Sequence, residues 1–288
     1  MSTAVLYDVP GPKARRRSQL LSVAGAVVLA LLAVLVVQRL ASRDQFEGER
    51  WAVLKDPDVR QLLVDGLVGT LKAAATAMVL SLVVGILLAV GRLSETAWIR
   101  IPVRVWVELF RGLPLLLVIF FLFLGGPSVG ADVSVFWALV VGLTLYNSAV
   151  IAEIVRAGVL SLPRGQREGA LAIGLRPVQA MRYVLLPQAL RVMLPAMISQ
   201  VVVLLKDTSL GFVIGYLELL RAGRNVVEFL GSSYSLPIYL TVALVFIVVN
   251  LALSSLAKAI DRRQGRSGKA PTTVRPGQPA GVALADEA

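Results

Sequence analysis

The chain has 288 residues, of which 57% are hydrophobic and 16% are charged, and its mean hydropathy is +0.77. This composition lies outside the usual range of soluble domains and indicates a membrane protein, with room for about five or six spans of roughly 20 residues. Cysteine and histidine are both absent, which excludes disulfides, thiolate catalysis and histidine-based metal or acid–base sites. The net charge of +11 would also suit a nucleic-acid-binding protein. The placement of the basic residues along the chain distinguishes that class from a membrane protein.

The start of the chain predicts a polar cytoplasmic segment, 1–19, followed by a transmembrane helix at 20–38. Lys13 and three arginines precede an apolar run at 20–37. A basic head before an apolar run is also typical of a signal peptide, but this run is longer than a signal-peptide core and no small-x-small cleavage site follows it. We therefore expect a retained helix.

The second predicted span, 62–93, carries small residues at four-residue spacing: Gly69, Ala73, Ala77, Ser81 and Gly85. Small side chains at this spacing let helices approach closely in lipid, where packing replaces the hydrophobic effect. The alternative is a plain lipid-facing helix, because Gly and Ala are common in all membrane helices.

Four further predicted spans follow, at 105–124, 133–154, 192–214 and 236–256. We expect Gly112 and Pro114 to break or kink the first of these four. The stretch 155–190 is the longest polar-interrupted internal segment. Residues 258–288 are rich in Gly, Pro, Arg and Thr and predict a disordered cytoplasmic tail.

The basic residues favour one orientation in the membrane. If the amino terminus is cytoplasmic, 19 of the 29 lysines and arginines lie in cytoplasmic segments and 7 in external loops. Lys and Arg are retained on the cytoplasmic side during insertion, so both termini and the 155–190 segment are expected inside. The positive charge is dispersed and lacks interleaved aromatic residues, which argues against nucleic-acid binding.

The segment 155–190 contains a long gapped motif. It reads E-G-A from Glu168, three residues, Gly174, nine residues, and V-L-L-P ending at Pro187. This resembles the signature of ABC importer permeases, E-A-A-x3-G-x9-I-x-L-P, at every spacing, with Gly169 where alanine is usual and Val184 where isoleucine is usual. Stretches such as ELFRGLPLLLVIFFLF and LLKDTSLGFVIGYLEL extend the similarity to polar-amino-acid permeases over about 65–257. The added first span and the polar tail resemble actinobacterial glutamate permeases.

The resemblance implies an all-α membrane protein with six transmembrane helices. The type I ABC importer permease core of five helices would occupy 62–257, with one extra N-terminal helix. Such a subunit lies in the bacterial cytoplasmic membrane, pairs with itself or a similar permease, binds two ABC ATPase subunits and receives substrate from an extracytoplasmic binding protein. Glutamate is the first candidate substrate, and basic or amide amino acids are next.

The resemblance also implies that this chain has neither catalytic residues nor a metal site. It contains no G-x-x-x-x-G-K-[ST] phosphate loop, so we expect no cofactor in this chain, with ATP and Mg on the partner ATPase.

Residues 163–178 predict a helical elbow. Residues 166–173 can form about two helical turns that Gly174 stops, and Pro177 suits the first turn of a second short helix. In the family, this elbow is the coupling helix that fits a groove on the ATPase. The predicted coupling residues are Gly165, Gln166, Glu168, Gly169, Ala170 and Gly174. Glu168 could bind an arginine of the ATPase or cap local amides, and the alternative is an elbow without a partner.

Ionisable residues in or near predicted spans are functional candidates, because burying charge in lipid is costly. Glu153 and Arg156 are three residues apart on one helical face, which predicts a structural pair that braces the elbow. Glu108 and Arg111 have the same spacing and are interpreted in the same way.

Near the middle of the fifth predicted span lie four polar residues: Lys206, Asp207, Thr208 and Ser209. An ammonium, a carboxylate and two hydroxyls could line a pathway for a zwitterionic amino acid. The alternative is a polar lock between helices that sets the pairing of two permeases. Neighbouring residues on a helix point about 100° apart, so Lys206 and Asp207 are not expected to pair face to face.

Two other function classes fit a multi-span chain. An ion-coupled secondary carrier or channel needs no ATPase, but its usual sign of paired broken helices in two inverted halves is not evident. A membrane anchor for another complex would transport nothing when all ABC partners are supplied.

Overall fold

The computed structural model describes residues 11–128 and 130–265, and within these ranges it contains helices and no β-strand. The α-helices, in chain order, are α1 (Pro12–Ala41), α2 (Gly48–Ala52), α3 (Pro57–Arg92), α4 (Ala97–Gly112), α5 (Leu115–Ser128), α6 (Val135–Ser161), α7 (Arg164–Ala172), α8 (Pro177–Ala180), α9 (Leu186–Asp207), α10 (Leu219–Leu230) and α11 (Ser235–Gly265). Most of the predicted tail, 266–288, and the first ten residues of the predicted N-terminal segment lie outside the described residues.

Among the described residues, five helical stretches are long and apolar enough to cross a membrane: α1, α3, α6, Pro177–Ile214 and Ser232–Ser255. A sixth is obtained if α4 and α5 count as one bent span. In α1 no side chain is buried against the rest of the chain. The protein is therefore an all-α membrane protein with up to six spans, as the sequence predicts.

The third predicted span, 105–124, is not continuous. The structure places two helices there, α4 and α5, with a 99° bend between them. Leu113 is extended, with φ −84° and ψ 138°, because the residue before a proline is disfavoured in the helical region. Pro114 then precedes the first turn of α5, where its carbonyl accepts from Leu117 N at 2.9 Å. The expected break at Gly112 and Pro114 is present, and it is sharper than a kink.

The described chain forms two compact units. The first comprises the described residues of Met1–Ala75, Phe123–Leu139 and Thr208–Ile247. Here α3 packs tightly against the stretch that leads into α10, since a Cβ added to Gly69 would lie 2.2 Å from the Leu217 carbonyl oxygen. The amide of Leu219 donates to Thr70 Oγ1 at 3.1 Å, which ties the two segments together.

The second unit comprises Thr76–Leu122, Val140–Asp207 and the described residues of Val248–Ala288. Its part of α3 buries Ala77 and Ser81 completely, and a Cβ added to Gly85 would lie 2.7 Å from Ile151 Cγ2. The small residues of α3 are therefore a helix-packing face and not a lipid-facing one. A buried hydrogen bond of 2.7 Å from Gln200 Nε2 to Asn147 Oδ1 joins α9 to α6.

Candidate functional site

The predicted elbow region consists of α7 and α8 joined by a glycine turn. Gly174 has φ +87°, a left-handed conformation that glycine adopts without strain. The amide of Leu175 donates to the Ala170 carbonyl at 3.2 Å, and that of Gly174 donates to Leu171 at 3.0 Å. These two bonds form a Schellman motif, which satisfies the last carbonyls of α7. Pro177 then opens α8 at a position where its missing N–H costs nothing.

Five of the six predicted coupling residues are exposed on this elbow: Gly165, Gln166, Glu168, Gly169 and Gly174. A Cβ added to Gly165 or Gly169 would meet no atom within 4 Å. Ala170 is the exception, because it is only 5% exposed and packs inside the chain. It therefore supports the elbow from within and is not a surface contact. The apolar side chains of Ile173 and Val178 in the same elbow are 79% and 74% exposed.

Two side-chain contacts hold the elbow to other parts of the second unit, to which it belongs. Arg167 forms an ion pair with Glu95 in the loop between α3 and α4. Gln188 Nε2 of α9 donates to Gln166 Oε1 at 3.0 Å. The elbow is therefore linked to two different parts of the helical unit, although its outer surface is open.

An ion cluster centred on Glu153 lies in the same unit. Glu153 accepts from Arg156 on its own helix at 2.5 Å and from Arg92, the last residue of α3, at 2.6 Å. Arg111 of α4 lies 3.9 Å from the same carboxylate. One carboxylate thus connects α3, α4 and α6, and the expected Glu153–Arg156 pair is one part of this larger arrangement.

The expected pairing of Glu108 with Arg111 is wrong. Glu108 instead accepts from Arg104 at 2.7 Å, one turn earlier on α4, and from Arg92 at 3.3 Å. Arg111 interacts with Glu153, as described above. The spacing along α4 identified ionic residues but could not identify their partners, because Arg92 is brought in by a different helix. As a basic residue at the end of an apolar span, Arg92 gave only a weak signal in the sequence.

The predicted pathway residues lie at a change of helix type and not in the middle of a helix. The α-helix α9 ends at Asp207, and a 3₁₀ segment, Thr208–Ile214, continues the chain. Thr, Ser and Gly are poorer helix formers than the preceding leucines, which favours the end of the α-helix here. Lys206 is exposed, Asp207 and Ser209 are partly buried, and Thr208 is fully buried. Lys206 and Asp207 belong to the second unit, whereas Thr208 and Ser209 belong to the first.

The sequence interpretation missed two buried polar features. One is the Asn147–Gln200 amide pair, whose signal was a polar side chain within each of two predicted spans. The other is Glu218, which is fully buried and caps α10 by accepting from the amides of Leu220 and Arg221 at 2.9 and 2.6 Å. Burial raises the pKa of the Glu218 carboxyl to about 7. Its signal was an acidic residue directly before a helical run.

The membrane-length helices, with a tethered two-helix elbow between two of them, define an integral membrane subunit of the transporter class. The chain belongs to the family of binding-protein-dependent transport system inner membrane components, whose model matches residues 81–266.

Several relatives support this membership. The chain is 39% identical to the glutamate transport system permease protein GluD of Corynebacterium glutamicum, over 83% of this chain and 89% of that protein. It is 37% identical to the probable glutamine ABC transporter permease protein GlnP of Bacillus subtilis, over 70% of this chain and 93% of that protein. Its fold is similar to a crystal structure of an amino acid ABC transporter with histidines, with a TM-score of 0.65 and 31% identity over 71% of this chain and 94% of that one.

Proposed function

We propose that this chain is the permease subunit of an ATP-driven importer of polar amino acids, with glutamate as the first candidate substrate. The observation that carries the proposal is the exposed elbow, which bears the family's signature and is tied to the helical unit at two points. A relative that covers most of this chain is named for glutamate transport, and another is named for glutamine. Amide and basic amino acids are the next candidates.

The elbow is proposed to fit a groove on a partner ATPase. Gly169 lets the partner's surface approach closely, because the space beyond it is open. Within the described ranges, Glu168 makes no side-chain hydrogen bond or ion pair, so its exposed carboxylate is available to a guanidinium of the ATPase. Movement of the elbow would reach α9 through Gln166 and Gln188, and the α3–α4 loop through Arg167 and Glu95.

ATP and Mg are assigned to the ATPase, and this permease is proposed to have no ATPase site, catalytic residue or metal site of its own. The full assembly would contain two ATPase subunits, an extracytoplasmic binding protein and a second permease that is identical or similar to this one. ATP binding would favour the outward-facing state and hydrolysis would reset it. The excess of basic residues in one set of loops supports cytoplasmic termini and a cytoplasmic elbow.

Lys206, Asp207, Thr208 and Ser209 are the proposed pathway residues. The different exposures of Lys206 and Asp207 support separate roles for the ammonium and the carboxylate, one at the pathway and the other toward a neighbouring helix. A polar lock between helices that sets the pairing of two permeases is the second possibility, since charges inside a membrane commonly pair with one another.

The proposal is tested by uptake of radiolabelled glutamate into proteoliposomes that contain this chain with its cognate ATPase and binding protein. We expect uptake that requires ATP inside and is inhibited by vanadate, with glutamine, arginine and lysine as competitors that define the substrate class. Uptake that continues without the ATPase and stops with a proton ionophore would assign an ion-coupled carrier instead. No uptake with every partner present would assign a membrane anchor.

The role of the elbow is tested by Gly169→Leu, with Gly48→Leu as the matched control. Both glycines are exposed helical positions where an added Cβ meets no atom, so neither change should disturb this chain's own packing. We expect Gly169→Leu to lower ATP-dependent uptake at least ~10-fold, because a steric block of about 1.4 kcal/mol at the ATPase contact corresponds to tenfold weaker binding. Equal uptake by the two variants would exclude Gly169 from the contact.

Orientation is measured separately. The chain has no native cysteine, so a membrane-impermeant maleimide reports the location of one introduced thiol. We expect Gly165→Cys to react only from the cytoplasmic side and Gly48→Cys only from the external side.

A further inference from the structure

Helix α4 has three sides of different character. One side packs inward through Val107, which is fully buried, and Val103, whose Cγ2 would lie 3.1 Å from a Cβ added to Gly91. A second side is a charged stripe made of Arg100, Arg104, Glu108 and Arg111. The third side is an exposed apolar face made of Trp98, Ile101, Val105, Trp106 and Leu109, with exposures from 42% to 90%.

The charged stripe and the exposed apolar face point in widely different directions, about 130° apart at 100° per residue. The stripe extends over about 16 Å of the helix axis at 1.5 Å per residue. In a helix that crossed the hydrocarbon core, which is roughly 30 Å thick, this row of charges would extend through about half of it. A helix lying in the interface instead turns its charges toward the headgroups and its apolar face toward the acyl chains.

The bend supports the second arrangement. The axes of α4 and α5 differ by 99°, so if α5 enters the membrane along its normal, α4 runs nearly parallel to the membrane plane. The exposed tryptophans fit the same position, because Trp is enriched at the level of the headgroups. Trp98 is 90% exposed, which leaves its ring free to contact lipid.

We propose that α4 lies in the plane of the cytoplasmic leaflet and that its charged stripe binds the headgroups of anionic phospholipids. The charge balance around the stripe supports this partner. The ion cluster contains four arginines, Arg92, Arg104, Arg111 and Arg156, against two carboxylates, Glu108 and Glu153. Positive charge is therefore in excess, and Arg100 adds to it. Guanidinium groups bind phosphate in bidentate geometry.

Two arginines of the stripe are accessible to a lipid ligand. The side chains of Arg104 and Arg111 are 65% and 44% exposed. The apolar face on the same helix favours a membrane surface, because an apolar face buried among the acyl chains holds the stripe at the level of the headgroups. The inference depends on the cytoplasmic orientation in the proposed function, which the maleimide labelling of Gly165→Cys measures independently.

The in-plane geometry is tested with single-tryptophan variants of the full chain in vesicles that contain brominated phosphatidylcholines, with bromine at several acyl depths. Trp98 and Trp106 are separated by about 12 Å along the helix axis. An in-plane helix predicts the same shallow depth for both, whereas a spanning helix predicts depths that differ by about that rise. Phe121→Trp in a tryptophan-free background is the control, because Phe121 is 77% exposed on α5 and should be deeper.

Headgroup binding is tested by comparing how brominated phosphatidylglycerol and brominated phosphatidylcholine quench Trp98. We expect several-fold enrichment of phosphatidylglycerol at low salt, because each arginine near an anionic surface contributes a factor of about five. Arg100→Gln combined with Arg104→Gln should remove most of the enrichment. Arg60→Gln, an exposed arginine at the start of α3, should leave it unchanged.

Three results would overturn the inference. The first is a depth difference between Trp98 and Trp106 equal to the helical rise, which would make α4 a spanning helix. The second is equal quenching of the wild-type protein by the two lipids. Loss of ATPase binding in the double arginine variant, with lipid enrichment intact, would identify the stripe as a protein contact and would also overturn the lipid assignment. If uptake depends on ATP but the depth measurement contradicts an in-plane helix, the proposed function stands and only this inference is wrong.

Discussion

The elbow and the ion cluster belong to the same unit of the molecule, but they obtain their geometry from different sources. The elbow is closed by bonds between residues close in sequence, such as Leu175 N to the Ala170 carbonyl. The cluster depends on contacts between distant residues, since Arg92 and Glu153 are 61 positions apart. A local turn can keep its shape when a partner moves it, whereas the cluster requires three helices to be in place. The elbow is suited to move as a piece, and the cluster is suited to hold helices together.

The largest expected effect comes from Glu153→Gln, which removes the charge at the centre of the cluster. Three arginines then lose an ionic partner in a partly buried environment where the carboxylate is 24% exposed. We expect a loss of about 3 kcal/mol in the free energy of unfolding, at the lower end of values for breaking a buried pair. Thermal unfolding in nanodiscs measures this change.

Glu228→Gln is the matched control for that loss. Glu228 also accepts from an arginine at 2.5 Å, but its side chain and that of Arg224 are 51% and 45% exposed. Solvent-exposed pairs contribute about 0–1 kcal/mol. If the two variants lose equal stability, the cluster is no more than a set of surface pairs, and its proposed role in holding three helices is wrong.

The same distinction explains how much of the structure the sequence could predict. The elbow follows from Gly174 and Pro177, whose backbone preferences act within a few residues. The break before α5 follows from Pro114 in the same way. The partners of Glu108 could not be predicted, because Arg104 and Arg111 both lie within about one helical turn of it. Arg111 is near Glu153 of α6 instead, which leaves Arg104 and Arg92 to pair with Glu108. The single sequence does not show that Arg92, from a different helix, reaches Glu108 and Glu153.

A smaller effect is expected for Gly174→Ala, which tests the local side of the comparison. Alanine at φ +87° is strained, and we expect a loss of about 1.5 kcal/mol. Gly165→Ala is the control, because Gly165 lies in α7 with open space around it and alanine is the better helix former. Thermal unfolding and ATP-dependent uptake are measured for both. Equal stability of the two variants would show that the elbow does not depend on the glycine turn.

The buried amide pair gives a second test of a long-range contact. Gln200→Leu leaves Asn147 Oδ1 without the donor that now lies at 2.7 Å. Hydrogen bonds between membrane helices are worth about 0.6–1.7 kcal/mol in double-mutant cycles, so we expect a loss of about 1 kcal/mol. The cycle with Asn147→Leu measures the coupling between the two residues. A coupling energy of zero would mean that this pair does not join α6 to α9.

The end of the fourth predicted span shows another limit of prediction from the sequence, although a smaller one. Its apolar run predicted a helix at 133–154, and α6 extends to Ser161, past the charged residues Glu153 and Arg156. Helical hydrogen bonding continues through Glu153 and Arg156 because their charges are satisfied by each other and by Arg92. A hydropathy pattern ends where charge begins, whereas the helix ends where its backbone hydrogen bonds end.

The smallest effect on stability is expected where the elbow meets the rest of the unit, at the exposed pair Arg167 and Glu95. Arg167→Gln should lower the free energy of unfolding by about 0.5 kcal/mol at most. It should nevertheless raise the number of ATP molecules hydrolysed per glutamate imported, because an elbow that has lost one of its two tethers transmits less of its movement. The exchange variant Arg167→Glu with Glu95→Arg should restore the ratio, since the opposite charges still meet. An unchanged ratio in Arg167→Gln would leave Gln166 and Gln188 as the sufficient link between the elbow and the helices.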